Sequence, residues 1–140
     1  MTQRHVPPPI RVVVAEDDPA VLELVRVRLG LAGYAVSHAR NGLAAVELIR
    51  SVQPEVVVLD INMPDLDGFG VLTAMARLRL PRPPAVLMLS ARCAGEDIQR
   101  CIALGAKDYL AKPFADKDLL ARMARLIRRP PSGGPQTLAA

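Results

Sequence analysis

Short, almost wholly apolar runs alternate along this chain with stretches in which apolar residues recur every three or four positions. Residues 10–15, 56–59 and 85–89 are apolar at nearly every position and rich in Val, Ile and Leu. Such runs fit parallel strands covered on both faces. Residues 35–38 and 107–110 are weaker strand candidates. Between them the helical period predicts helices over residues 19–31, 43–52, 69–78, 96–104 and 116–128. Asp18-Pro19 is a helix start, a capping carboxylate followed by the imino acid that suits the first turn. Gly33 and Gly105 stand where helices should stop. Five β–α units in succession predict an α/β fold, a doubly wound five-stranded parallel sheet with five helices and right-handed crossovers.

The ends of the chain break this pattern. Residues 1–9 close on three prolines and read as a flexible lead-in; residues 130–140 (PPSGGPQTLAA) read as a disordered tail or linker. The folded domain is expected over residues 10–129. If Ala140 is the natural terminus, Leu138-Ala139-Ala140 is similar to the tags that bacterial ATP-dependent proteases grip, although an ordinary linker stub is the plainer reading.

Composition narrows the picture. At 140 residues and 51% hydrophobic, one folded domain is expected. Aromatics are scarce, so the core must be built from Val, Leu, Ile and Ala. The net charge of +4 comes from dispersed arginines. No basic stripe carries interleaved aromatics, and the densest basic run, residues 122–129, has an amphipathic helical pattern, so direct nucleic-acid binding by this domain is not expected. Cys93 and Cys101 suit neither a metal site nor a disulfide framework. There is neither an apolar signal core nor an apolar run long enough for a membrane span. A cytoplasmic protein without membrane association follows.

The chemistry-bearing residues gather at strand ends. In doubly wound sheets, sites form at the carboxyl ends of the strands. The first strand runs into Glu16-Asp17-Asp18 and the third into Asp60. Carboxylates converging there repel unless protonated or bridged by a cation, and an all-oxygen set suits Mg²⁺. Asp18 alone reads as a helix cap. The fourth strand ends at Ser90 and the fifth leads into Lys112-Pro113. Carboxylate, divalent cation, hydroxyl and ammonium together suit a phosphoryl group.

The segments VVVAEDDP, VVVLDINMPDLDGFGVL, VLMLSA and GAKDYLAKPF, in this order and spacing, resemble the receiver domain of bacterial two-component response regulators across residues 10–129. The resemblance implies the flavodoxin-like receiver fold and a phosphoprotein that takes a phosphoryl group from a sensor histidine kinase or phosphotransfer protein, with no enzymatic activity beyond its own phosphotransfer and dephosphorylation. It assigns Asp60 as phosphoacceptor. The Mg²⁺ ligands would be Asp17, Asp60, the backbone carbonyl of Asn62 and, through water, Glu16. Lys112 would pair with the phosphoryl group. Ser90 and Tyr109 would be the switch pair, and Pro113 would follow a cis peptide. Pro64 and Gly68 match the turn after the acceptor.

Three competitors fit less well. An Mg²⁺-dependent phosphohydrolase would need an acid at Asn62. A flavodoxin-like cofactor binder would need a loop of amides where Glu16-Asp17-Asp18 stands. A degenerate receiver would lack matching residues, and none is missing. The ending DLLARMARLIRRPPSGG resembles the junction before a winged-helix DNA-binding domain. Receivers of that subfamily form homodimers through the fourth-helix, fifth-strand and fifth-helix face. Asp108 and Arg122 match part of its charge network, whereas Ile98 stands where a basic residue is usual. On the first helix, Leu22, Val25 and Leu29 make one apolar stripe and Val21, Leu24, Val27 and Leu31 another. Whichever stripe faces away from the core is a candidate docking surface for a partner helix.

Overall fold

The apolar runs pair side by side. The computed structural model describes residues 7–91 and 94–127. Its strands are β1 (Arg11–Ala15), β2 (Ala35–Ala39), β3 (Val56–Leu59), β4 (Ala85–Ser90) and β5 (Asp108–Ala111). Its helices are α1 (Pro19–Leu31), α2 (Gly42–Val52), α3 (Gly68–Leu78), α4 (Gly95–Ala103) and α5 (Asp116–Leu126). All pairings are parallel, in the order β2-β1-β3-β4-β5. This is the expected doubly wound sheet. Its order reverses at β1, where such folds open a crevice between β1 and β3.

The period-2 alternation of the strands sorts their side chains onto two covered faces. Val13, Ala15, Val57, Leu59, Val86 and Met88 face one cluster with Ile49 of α2, Leu72 of α3 and Cys101 of α4. Val12, Val14, Val56, Val58, Leu87 and Leu89 face the other, with Leu22, Val25 and Leu29 of α1 and Leu119 and Met123 of α5. Burying each of these side chains contributes roughly 1.5–3 kcal/mol relative to exposure. β1 after its exposed Arg11, and β3 throughout, are accordingly apolar and buried.

Helix ends follow local chemistry. Asp18 accepts the N–H groups of Ala20 and Val21 ahead of Pro19. Asn41 caps α2 through Ala44 and Asp67 caps α3 through Gly70. Gly33 (φ 99°) and Gly105 (φ 112°) follow α1 and α4, as expected. α2 and α3 instead end on Gln53 (φ 51°) and Arg79 (φ 50°), ordinary side chains in the left-handed region.

The ends of β2, α2, α3, β4, α4 and β5 differ from the expected ones by a single residue, and two further boundaries need correction. α5 stops at Leu126, not at residue 128, because Ile127 is extended (φ −88°, ψ 147°). Pro130, lacking an N–H, offers no donor to close the next turn onto Leu126. Residue 10 stands outside β1, yet Ile10 is fully buried and its carbonyl accepts the Ala35 amide at 2.9 Å. On α1 the stripe Leu22, Val25 and Leu29 is the buried one, while Leu24, Val27 and Leu31 are 38%, 38% and 78% exposed. The Leu-Ala-Ala ending, the expected tail and Cys93 lie outside the described residues. Among the described residues no helix is long and apolar enough to cross a membrane.

Candidate functional site

The register of the central strands builds the site. Ala15 pairs with Leu59, so β1 and β3 end level and the next residues of each emerge together. The Asp60 amide donates to the Ala15 carbonyl at 3.0 Å, and the Glu16 amide to the Ala39 carbonyl at 3.1 Å. Glu16 (1% exposed) and Asp60 (5%) are therefore held in the crevice, with Asp17 half-buried beside them. Carboxylate oxygens of the three residues lie within 4.8 Å of one another.

The other side of the crevice supplies the cation and the hydroxyl. Ser90 ends β4 and is fully buried. Its carbonyl accepts the Lys112 amide at 3.0 Å, fixing where the lysine leaves β5. The peptide between Lys112 and Pro113 is cis, as the resemblance implied. The Lys112 ammonium lies 2.5 Å from Glu16 Oε1 and 3.2 Å from Asp60 Oδ2.

These charges do not cancel. The Glu16 carboxyl is raised to about 7, by burial first and by the nearby Asp60, while Lys112 and the Asp18 amide act the other way. The Lys112 ammonium is disfavoured by burial, but its bonds to Glu16 and Asp60 prevail and raise it. One ammonium set among three close carboxylates leaves an excess of negative charge, which a hard divalent cation with oxygen ligands would relieve. The donor set therefore fits Mg²⁺. Glu16, Asp17 and Asp60 are the residues whose carboxylates could hold it.

Other predicted residues occupy defined places. Asn62 is exposed between buried Ile61 and Met63 in the loop that follows Asp60. Tyr109 pairs in register with Met88 and packs, half-buried, against the cluster on the α2–α4 face. Asp18, as expected, is a cap, and its amide donates to Glu16 Oε2 at 3.2 Å. Asp108 pairs with Arg122 at 2.6 Å and Arg125 at 3.4 Å within the same chain.

Gly68, which the resemblance placed in the turn after the acceptor, is needed there because a Cβ would lie 2.5 Å from the Asp60 carbonyl oxygen and 2.8 Å from the Ile61 Cα. Its amide closes the turn by donating to the Ile61 carbonyl at 2.7 Å. Other contributors went unnoticed in the sequence. Asn41 and Asp67, the caps of the helices on either side of the loop, were legible as polar residues directly before Gly42 and Gly68. Arg100 of α4 stacks over the Phe69 ring with 4.0 Å to its centroid, a contact no local pattern announces.

Comparison with known proteins agrees with this geometry. The family model of the response regulator receiver domain matches residues 12–124. The chain belongs to that family. The response regulator MprA of Mycobacterium sp. (strain KMS) is 42% identical over 132 residues, 94% of this chain and 56% of that protein. The chain thus spans about half the length of the curated relatives it matches. Among solved structures, the signal receiver domain of the putative response regulator NarL from Mycobacterium tuberculosis superposes with a TM-score of 0.77 at 33% identity, covering 88% of this chain and 100% of that one. The receiver domain of sensor histidine kinase PA1611 from Pseudomonas aeruginosa PAO1, solved with a magnesium ion coordinated in its active site cleft, gives 0.77 at 25% identity, covering 84% and 97%.

Proposed function

We propose that Asp60 is the phosphoacceptor of this receiver domain. One observation carries the reading: the buried Asp60 carboxylate sits in a three-carboxylate cluster, 3.2 Å from the Lys112 ammonium. The donor is a phosphohistidine of a sensor histidine kinase or phosphotransfer protein. A carboxylate oxygen of Asp60 attacks phosphorus in line; the P–N bond breaks and its electron pair stays on the imidazole. The product is an acyl phosphate, which water later hydrolyses. Asp17, Asp60, the Asn62 carbonyl and, through water, Glu16 would hold Mg²⁺, which would supply charge neutralisation for the phosphoryl oxygens. Lys112 moves from its carboxylate partners toward a phosphoryl oxygen, and the Ser90 hydroxyl donates to another. The site contributes positioning and charge neutralisation rather than a general base. The magnesium ion in the active site cleft of the PA1611 receiver supports placing a metal here.

Output is a population shift. Ser90 turns toward the phosphoryl group, Tyr109 swings inward, and the face formed by α4, β5 and α5 changes. Dimerisation through that face is part of the proposal. So is the assignment of residues 10–129 as the receiver with 130–140 as a disordered tail or linker. Leu24, Val27 and Leu31 are exposed along α1, which begins directly after Asp18, and suit docking of an apolar partner helix from the phosphodonor.

The test is intact-protein mass spectrometry after treatment with acetyl phosphate. One phosphate should be gained with Mg²⁺, little without it, and none by Asp60→Asn. An Asp60→Asn chain that still gains a full equivalent would move the acceptor elsewhere, with Asp17 the next suspect.

A further inference from the structure

The loop after Asp60 is seated from a distance by a glycine on another helix. Gly42 is the first residue of α2 and is buried. A Cβ built on it would overlap the Leu66 carbonyl oxygen and lie 2.6 Å from both the carbonyl carbon and the Cβ of Leu66. The Gly42 amide donates to the Pro64 carbonyl at 3.3 Å, and the Leu66 amide closes onto the same oxygen at 2.8 Å. Between those two residues Asp65 is held at φ 70°, a left-handed conformation that an aspartate adopts at some cost. Leu66 itself packs against the core cluster of the α2–α4 face. The second half of the loop is therefore laid directly on the backbone of α2, and the contact leaves no room for a side chain.

We propose that Gly42 is a positioning residue for the acidic site. Its bare Cα lets the loop of residues 61–67 seat on α2, and that seating sets the backbone of Asn62 beside Asp60. The inference rests on the reading of the site given above, in which the Asn62 carbonyl is a Mg²⁺ ligand. A methyl group at position 42 would displace Leu66 by about 1 Å or more before ordinary van der Waals separation is restored. The loop is too short to absorb that movement, because Gly68 pins its far end against the Asp60 carbonyl. Mg²⁺ demands near-ideal octahedral geometry, so a ligand misplaced by this amount binds poorly. Displacements of about 1 Å at a distance from the chemistry cost up to roughly a hundredfold in transfer rate.

The experiment compares the parent chain with Gly42→Ala by Mg²⁺ titration calorimetry and by amide chemical shifts, each with a denaturation curve. The control is Gly30→Ala, on α1, where an added Cβ meets nothing within 4 Å. Gly42→Ala should remain folded and bind Mg²⁺ at least tenfold more weakly, with shift changes concentrated in residues 60–68. Gly30→Ala should bind like the parent. If Gly42→Ala does not fold, Leu66→Ala decides the matter, since it unseats the same loop without adding bulk. It should weaken Mg²⁺ binding severalfold. A folded Gly42→Ala with affinity within twofold of the parent overturns the positioning role, as does an unaffected Leu66→Ala should that variant be needed. A parent chain that binds no Mg²⁺ overturns the reading of the site itself.

Discussion

The carboxyl edge of the sheet has two halves built differently. The half formed by β1, β3 and the loops after them is braced. α1 and α3 have side-chain caps, Asp18 and Asp67, and bury three and four residues. The loop between Asp60 and α3 lies in backbone contact with Gly42 and Gly68. The half formed by β4, β5 and the helices after them is loosely held. α4 and α5 begin at Ala94 and Ala115 with no side-chain cap, and bury one residue, Cys101, and two, Leu119 and Met123. Phosphoryl transfer and metal binding need fixed ligands, whereas an output surface must change at low cost. The proposed acceptor, Asp60, lies on the braced half, and the expected switch residues, Ser90 and Tyr109, on the loose one.

The largest effect should come from damaging the braced half at its metal ligands. Asp17→Ala removes one of the two proposed direct carboxylate ligands, so calorimetry should show Mg²⁺ affinity falling more than tenfold, roughly 1.4 kcal/mol or more. Unchanged affinity would transfer that role to Glu16 or Asp18.

Next comes pH, which acts on the same half through Glu16. Its carboxyl is raised to about 7, by burial first. The folded chain therefore holds a proton that the unfolded chain has already released above about 4.5. Without metal, this group's contribution to stability should fall as pH rises through that window. Mg²⁺ must displace the same proton, so its affinity should climb up to about pH 7 and level off above. Affinity independent of pH between 5.5 and 8 would contradict the charge assignment at Glu16.

The loose half can be tightened. Ala94→Ser supplies the cap that α4 lacks, contributing about 1 kcal/mol. Hydrogen exchange of the α4 amides should slow severalfold. If α4 moves on activation, phosphorylation should then perturb its amide resonances less. Exchange as fast as in the parent would show that capping is not what leaves α4 weakly held.

The smallest effect is expected where the two halves touch at the surface. Arg28 of α1 pairs with Asp116 of α5 at 2.7 Å, both side chains more than two-fifths exposed. Asp116→Ala should shift the denaturation midpoint by the equivalent of no more than about 0.5 kcal/mol.

Much of the braced half was legible in the sequence. Val12–Val14 and Val56–Val58 are apolar throughout because both sheet faces are covered, and the acids placed directly after them marked the crevice. Asp18-Pro19 announced the start of α1 by local chemistry alone. What escaped depends on contacts between distant segments. Gly42 reads only as the residue after a cap until Leu66, in the loop beyond the next strand, is laid on it. Gln53 and Arg79 carry no sign of the left-handed conformation in which they end their helices. The carboxylate partners that Lys112 takes, Glu16 and Asp60, follow from sheet order rather than spacing. The stop of α5 at Leu126 was foreshadowed by Pro130, but amphipathic periodicity ran two residues past it.

The central claim concerns one oxygen, and it can be read chemically. Borohydride reduces an aspartyl phosphate to homoserine at the residue that carried it. After acetyl phosphate and Mg²⁺ treatment of the full chain, reduction and peptide sequencing by mass spectrometry should find homoserine at position 60 and nowhere else. Homoserine at position 17, or phosphate retained on a hydroxyl or imidazole with position 60 unchanged, would contradict it.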